Sequence, residues 1–347
     1  GISWVIYTMT HSAFMLGLTV FASQFPSFLF SLFGGIISDR YNRYRVLFFT
    51  QTASMVQAVL LTVITFSNHY TVAQLLTLSV LLGIINAFDV PARQPLVHEL
   101  VKDKADLPNA LALNSSMVNL ARLVGPALSG IVLQKFGAGT CFLINAISFL
   151  AVICSLSLMK LPKYQFVVVK KKIQSELVEG FVYLKQTSSI GIIILILTLL
   201  SLLVMPYDTL LPVFAKIVFK GDASTYGYIS SFMGLGAICG TLFLASLKTG
   251  TDLKFVMLCN IILLGAGLML FSHISYFPIA MVFAVITGFG AMSLSTICIT
   301  IVQINSEVNM RGRVMWDVAS AVVGMWPLGS LLIGRVSHFI GARNALR

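Results

Sequence analysis

The sequence predicts an all-α polytopic membrane protein made of two similar helix bundles, and three observations predict it. Only 10% of the 347 residues are charged and 57% are hydrophobic, whereas soluble domains carry about 25% charged residues. The apolar residues fall in long runs separated by short polar clusters, and about 20 such residues carry a helix across a bilayer. Lysines and arginines then alternate between successive loops, as the positive-inside rule requires of a chain that crosses repeatedly.

The stretch from Gly1 to Thr10 is half a span and reads as the end of a first helix whose beginning precedes it. Full spans follow at Ser12–Ile37, Val46–Ser67, Val72–Phe88, Leu111–Leu133 and Thr140–Leu158. After a long polar connection come Ile190–Ala215, Tyr226–Leu247, Phe255–Phe271, Phe277–Val302 and Met315–Ile340, and a twelfth helix is expected beyond the eleventh. The predicted organisation is a first bundle over 1–159, a linker over 160–189 and a second bundle over 190–347.

Loops after even-numbered spans hold Arg40, Arg43, Arg45, Arg93, Lys102 and Lys104, then the lysines of the linker, then Lys248, Lys254, Arg311 and Arg313. Loops after odd-numbered spans, up to the ninth, hold only Lys135, Lys216 and Lys220. The even loops and the N-terminus are therefore expected in the cytoplasm. In the linker, Ile173, Leu177, Phe181 and Leu184 recur at helical spacing among Lys172, Glu176, Glu179 and Lys185. That pattern fits a helix lying on the inner leaflet, and it fits a solvated linker equally well.

The halves echo each other. GPALSGIVLQKFGA from Gly125 and GSLLIGRVSHFIGA from Gly329 share glycines at the same three positions, at a constant offset of 204 residues. The repeat keeps the same in/out orientation, the arrangement of parallel repeats in transporters.

Several function classes are excluded or disfavoured. The net charge of +11 is spread loop by loop without interleaved aromatics, which argues for topology and against nucleic-acid binding. The five cysteines lie in apolar runs, and the five histidines sit at or near span ends without a second ligand at metal spacing. The sequence contains no GxxxxGK[ST] loop for ATP and no hydrolytic constellation, so an enzyme is not expected.

The most informative local stretch is GIISDRYNRYR, Gly35 to Arg45. An acid at a membrane boundary is costly unless it meets a cation or a helix N-terminus. Asn42 stands where the loop reverses and is expected to supply a left-handed turn. A loop that merely anchors topology accounts for Arg40, Arg43 and Arg45 but leaves Asp39 and Gly35 unexplained.

Gly35, Asp39, Arg40, Asn42 and Arg43 resemble the signature loop of the major facilitator superfamily, where the Asn42 position is usually Gly. NAFDVPAR at Asn86–Arg93, the stretch Leu107–Gly130, RGRVM at Arg311–Met315 and PLGSLLIG at Pro327–Gly334 are similar to the drug:proton antiporter branch that contains the enterobactin exporters and macrolide efflux pumps. The resemblance implies two pseudo-symmetric six-helix bundles. It also implies a cytoplasmic latch that joins Asp39 to the start of the eleventh helix near Arg313–Trp316, and Arg40 or Arg43 to Asp89. It assigns Gly125, Pro126, Ser129 and Gly130 to an exporter-associated motif in the fifth span.

Read from the residues alone, Ala121, Gly125 and Ser129 give that span a smooth face for close packing, and Pro126 removes a backbone hydrogen bond. An ordinary packed membrane helix meets the same description. Arg122 lies near the middle of the fifth span, so it must face a cavity or an acid, as a substrate or coupling residue or as half of a structural pair. Asp208 near the outer end of the seventh span is a candidate coupling acid or an interfacial one. Asp317 follows Arg313 by one turn, and an ion pair explains it as well as a coupling role does. Trp4, Tyr7 and Tyr207 offer aromatic walls or an interfacial belt.

The expected function is secondary active export of a small amphipathic molecule, siderophore-like or drug-like, by alternating access. The proton gradient is its energy source, with no cofactor and no metal. The expected setting is a monomer in a bacterial inner membrane, with the lipid bilayer and the small molecule as its only partners. Inward transport of a lysophospholipid is the alternative within transport. A sensor or scaffold without flux is the alternative outside it.

Overall fold

The computed structural model describes residues 1–101, 103–159, 187–248, 250–307 and 310–346. The expected inner-leaflet helix of the linker lies outside the described residues. Among those residues the chain is helical nearly throughout, with no strand.

The first span is Ile2–Thr10, closed by His11 in the left-handed region, and the second is Ala13–Arg40. The third, Arg43–Phe66, starts on Asn42, whose side chain accepts the Tyr44 N–H. This corrects the expectation for Asn42: its φ is −61° and its ψ 112°, so it reverses the chain as an N-cap and not as a left-handed turn. The fourth, Val72–Leu100, opens with a reciprocal Thr71–Gln74 capping box and continues twelve residues beyond the predicted Phe88. The apolar run ends where the hydrocarbon ends, while the hydrogen-bonded helix projects past it. The second, tenth and eleventh helices (Ala13–Arg40, Phe277–Asn305, Arg311–Ile340) overrun their apolar stretches in the same way.

The fifth and sixth spans form one stretch, Leu107–Leu158, broken at Gly137 with φ 82° and ψ 174°. Only glycine adopts that conformation without strain. The chain folds back there, because Gly125 and Ser129 on one arm line the same cavity as Phe142 and Ser148 on the other. The end of the repeat in the second half is Gly341, at φ 84° and ψ 152°, so the sequence echo carries a matching backbone turn.

The seventh span begins regularly at Ser188–Leu199. It then passes through wide turns at Leu200–Val204, tight turns at Met205–Leu210 and wide turns again at Phe214–Val218. Pro206 and Pro212 deny it two backbone donors, which accounts for the departure from regular geometry. The eighth, ninth and tenth spans are Ala223–Ala245, Leu253–His273 and Phe277–Asn305.

Small residues set the packing. Within the first half, a Cβ on Gly34 would overlap the Ala87 carbonyl oxygen and one on Gly83 would stand 2.5 Å from that of Ser23, so the second and fourth helices touch backbone to backbone. Within the second half, Gly236 meets the Val285 carbonyl and Gly240 meets Phe289 and Ser293, as the spacing of those two glycines predicts. Large apolar side chains such as Phe49, Ile262 and Phe255 point outward. That is how a bundle solvated by lipid tails presents itself.

Candidate functional site

The two halves meet along two seams, the second helix on the eleventh and the fifth on the eighth. The seams are built alike. Gly334 lies against Ala13 and Gly17, and Gly130 lies against Ala223 and Gly227. An Ala-x-x-x-Gly edge of one half thus receives the central glycine of the echoed motif in the other. Side chains add to the second seam. The Ala127 N–H donates to Ser231 Oγ at 3.0 Å, and beside the seam Trp4 of the first helix stacks on Tyr226 of the eighth with centroids 6.1 Å apart and planes 12° apart.

At the end of this seam, Asp222 has two tasks. Its Oδ1 accepts the backbone N–H groups of Ser224 (3.0 Å) and Thr225 (3.1 Å), capping the eighth helix. Its Oδ2 accepts Gln134 Nε2 from the opposite half. Burial is the largest single influence and pushes this carboxyl up, but the bonds from Ser224 and Thr225 together outweigh it and hold the group below the usual carboxylate range.

Among the described residues, the backbone approaches between halves at Gly17, Gly130, Gly227, Gly234 and Gly334 lie between the bundle's middle and the end away from the basic loops. Toward the basic end, the same helices expose large apolar side chains: Leu29 and Phe33 on the second, Leu113, Met117 and Leu120 on the fifth. The glycine contacts pinch the bundle toward one end, and it is splayed at the other, where the fifth helix is exposed on every side over residues 111–118.

A chamber of about 580 Å³ lies between the halves. Arg122, Pro126 and Ser129 contribute from the fifth helix, Met205, Tyr207 and Asp208 from the seventh, and Tyr226 and Met233 from the eighth. Met292 of the tenth and Trp326 of the eleventh complete the wall. A second chamber of about 550 Å³ inside the first half shares Ser129 with it and is lined by Thr19, Ser23, Gln57, Asn145 and Ser148. Arg122 and Asp208, named separately from the sequence, therefore face one space. They come from opposite halves, and among the described residues neither has an ion-pair or hydrogen-bond partner.

Among the other residues predicted from the sequence, Asp89 is 1% exposed. Its Oδ1 accepts Thr50 Oγ1 (2.8 Å) and Gln51 Nε2 (2.7 Å), and its Oδ2 pairs with Arg93 one turn on. The fourth helix continues past it, so Asp89 lies within the helix and not at its end. Arg40 is the exposed last residue of the second helix, and Arg43 is the first of the third. The side chains of Asp39 and Arg313, on which the expected latch turns, lie outside the described residues. Asp317 is half-buried, and its Oδ2 has no hydrogen-bond partner among the described residues.

Gly35 has open space where a Cβ would be, and its neighbour Gly34 makes the close contact. In the fifth helix the contact face is shifted by one residue from the expected one. The expected packing face of Ala121, Gly125 and Ser129 is not the one used: Ala121 is exposed and a Cβ on Gly125 meets nothing. The contact face is Arg122, Pro126 and Gly130, whose backbone meets Gly234, Gly227 and Ala223. Both faces have the spacing that small residues need, and only the position of the eighth helix decides between them. Asp222, Gln134 and Tyr226 were not singled out by sequence. The D-x-x-T pattern at Asp222–Thr225 marks a helix start, but nothing local marks Gln134 as its partner.

Two helical halves around a chamber that both of them line are the architecture of a membrane transporter. The chain is 30% identical to the staphyloferrin A transporter of Staphylococcus aureus, over 98% of this chain and 85% of that protein. It is 24% identical to the multidrug efflux pump Tap of Mycobacterium tuberculosis, over 97% and 82%. In structure it resembles the nucleoside transporter NupG with a TM-score of 0.73 at 14% identity, over 99% of this chain and 88% of that one. The family model described as transmembrane secretion effector matches residues 1–347, and the chain belongs to that family of the major facilitator superfamily.

Proposed function

We propose that this transporter exports a small amphipathic molecule from a bacterial cytoplasm by alternating access, using the proton gradient and acting as a monomer. The observation that carries the reading is the chamber between the halves, with one cation and one anion facing it from opposite sides. Sidedness rests on the basic loops, which the positive-inside rule assigns to the cytoplasm of an inner membrane, with the N-terminus on the same side. On that assignment the pinched end faces outward and the splayed end admits cargo from inside. Among the relatives, the multidrug efflux pump supports outward movement and the staphyloferrin A transporter supports a small-molecule cargo.

Asp208 is the acid we assign to proton coupling, because it faces the chamber where cargo and proton would compete. Asp39 and Asp89 belong to the basic end, where the halves must come together as the outer seams part. Rocking between the two arrangements moves the chamber from one side to the other.

The test is untargeted mass spectrometry of culture medium from a bacterium expressing the complete gene, with Asp39→Asn at matched membrane level. Compounds enriched outside only with the unmutated protein are expected. An unchanged medium, or equal enrichment with Asp39→Asn, would overturn export or the latch respectively.

A further inference from the structure

We propose that the cargo of this chamber carries an acid group and a basic nitrogen at its two ends, and that it bridges Arg122 and Asp208. The inference rests on the export reading and adds the chemical class to it.

An ionised side chain inside a bilayer persists only if it is paired or meets water or a ligand. Arg122 lies mid-span in the fifth helix and Asp208 lies in the irregular stretch of the seventh. Both line the same chamber. Among the described residues they pair neither with each other nor with any third group. Two opposite charges that share a cavity without meeting leave room for a molecule that meets both. An arginine fork is suited to a carboxylate or similar oxyanion, and a lone carboxylate to an ammonium group.

The rest of the wall fits the middle of such a molecule. Met205, Met233 and Met292 are flexible and apolar, and Tyr207 and Tyr226 add aromatic surface. A chamber of about 580 Å³ is the size of small-molecule sites. A purely cationic or purely anionic cargo would leave one of the two chamber-lining charges unmet. A neutral one would leave both.

The two charges come from different halves, so a bridging cargo ties the halves together across the chamber. Cargo with one charged end engages one half only. Selectivity by charge class then follows from the requirement that both halves be engaged before they rock.

The experiment profiles medium from cells expressing the complete gene as wild type, Arg122→Gln, Arg122→Lys and Asp208→Asn, each at matched membrane level. Compounds enriched by wild type should carry both an acid and a basic nitrogen. Their export should fall about tenfold or more in Arg122→Gln and in Asp208→Asn, the loss expected for one charged hydrogen bond. Arg122→Lys should recover part of it, which a purely structural role for the arginine would not predict. Enriched compounds that lack either group would sink the charge class and leave export standing, as would full export by Arg122→Gln. If wild type enriches nothing, the export reading fails and this proposal fails with it.

Discussion

Substituting Gln134 by leucine removes one side of the bond that Asp222 makes across the fifth–eighth seam and leaves the cap of the eighth helix intact. In the proposed rocking of the halves this bond is lost when the pinched end opens, so its free energy bears directly on the balance between the two arrangements. A hydrogen bond to a charged group contributes about 1.5–3 kcal/mol. This pair is exposed to solvent, which reduces it to about 1 kcal/mol. A shift of that size changes the ratio of closed to open molecules by about fivefold. The assay is a spin-label distance between cysteines placed at Lys135 and Lys220, which flank the seam, after the five native cysteines are replaced. Gln134→Leu should raise the population with the longer distance. Asp222→Asn should raise it too, with a weaker eighth-helix cap as an added effect. An unchanged distance distribution in a properly inserted Gln134→Leu protein would refute the reasoning.

Gly130→Ala would place a Cβ 2.6 Å from the Ala223 carbonyl and Gly17→Ala one in overlap with that of Ser330, whereas Gly125→Ala meets nothing. The first two should destabilise the closed end by about 1–3 kcal/mol and shift the spin-label distances as Gln134→Leu does, with Gly125→Ala as a silent control. Asp89→Ala should cost about 2–3 kcal/mol of stability because it strands the buried Gln51 amide and leaves Thr50 only the Leu47 carbonyl, and Arg93→Ala should cost about 1 kcal/mol or less because that side chain is 63% exposed. Thermal melting in detergent separates the two. The Asp222 carboxyl is held below its ordinary value, so its contribution is full above about pH 3.9 and is lost as pH falls through the depressed value. Acid titration of the Lys135–Lys220 distance should show opening only below that range, and Asp222→Asn should abolish the dependence.

The class of the fold was legible because apolar run length and loop charge are local and repeat along the chain. Helix ends were less legible, since a helix continues past the point where hydropathy falls, as the fourth does from Asp89 to Leu100. Arg122 could be read as facing a cavity from the cost of a mid-span cation alone. Its sharing of that cavity with Asp208 could not be read, because it depends on how two halves are juxtaposed. The one-residue shift from Gly125 to Pro126–Gly130 has the same origin. A stripe of small residues states that a neighbour comes close, and the neighbour's position selects which stripe it touches. The matched turns at Gly137 and Gly341 were foreshadowed by the repeated motif, since a left-handed backbone leaves a glycine in the sequence.

The carbonyl of Arg122 lies against Gly234, 2.9 Å from where a Cβ of that glycine would be, while the same residue lines the chamber. The residue that would grip cargo is therefore also a brick in the joint that has to part. No relay of intervening side chains is needed for one event to be felt at the other: the transmission length is a single residue. Any pull on the guanidinium acts on the fifth helix where it bears on the eighth, so occupancy and gating are two loads on one beam.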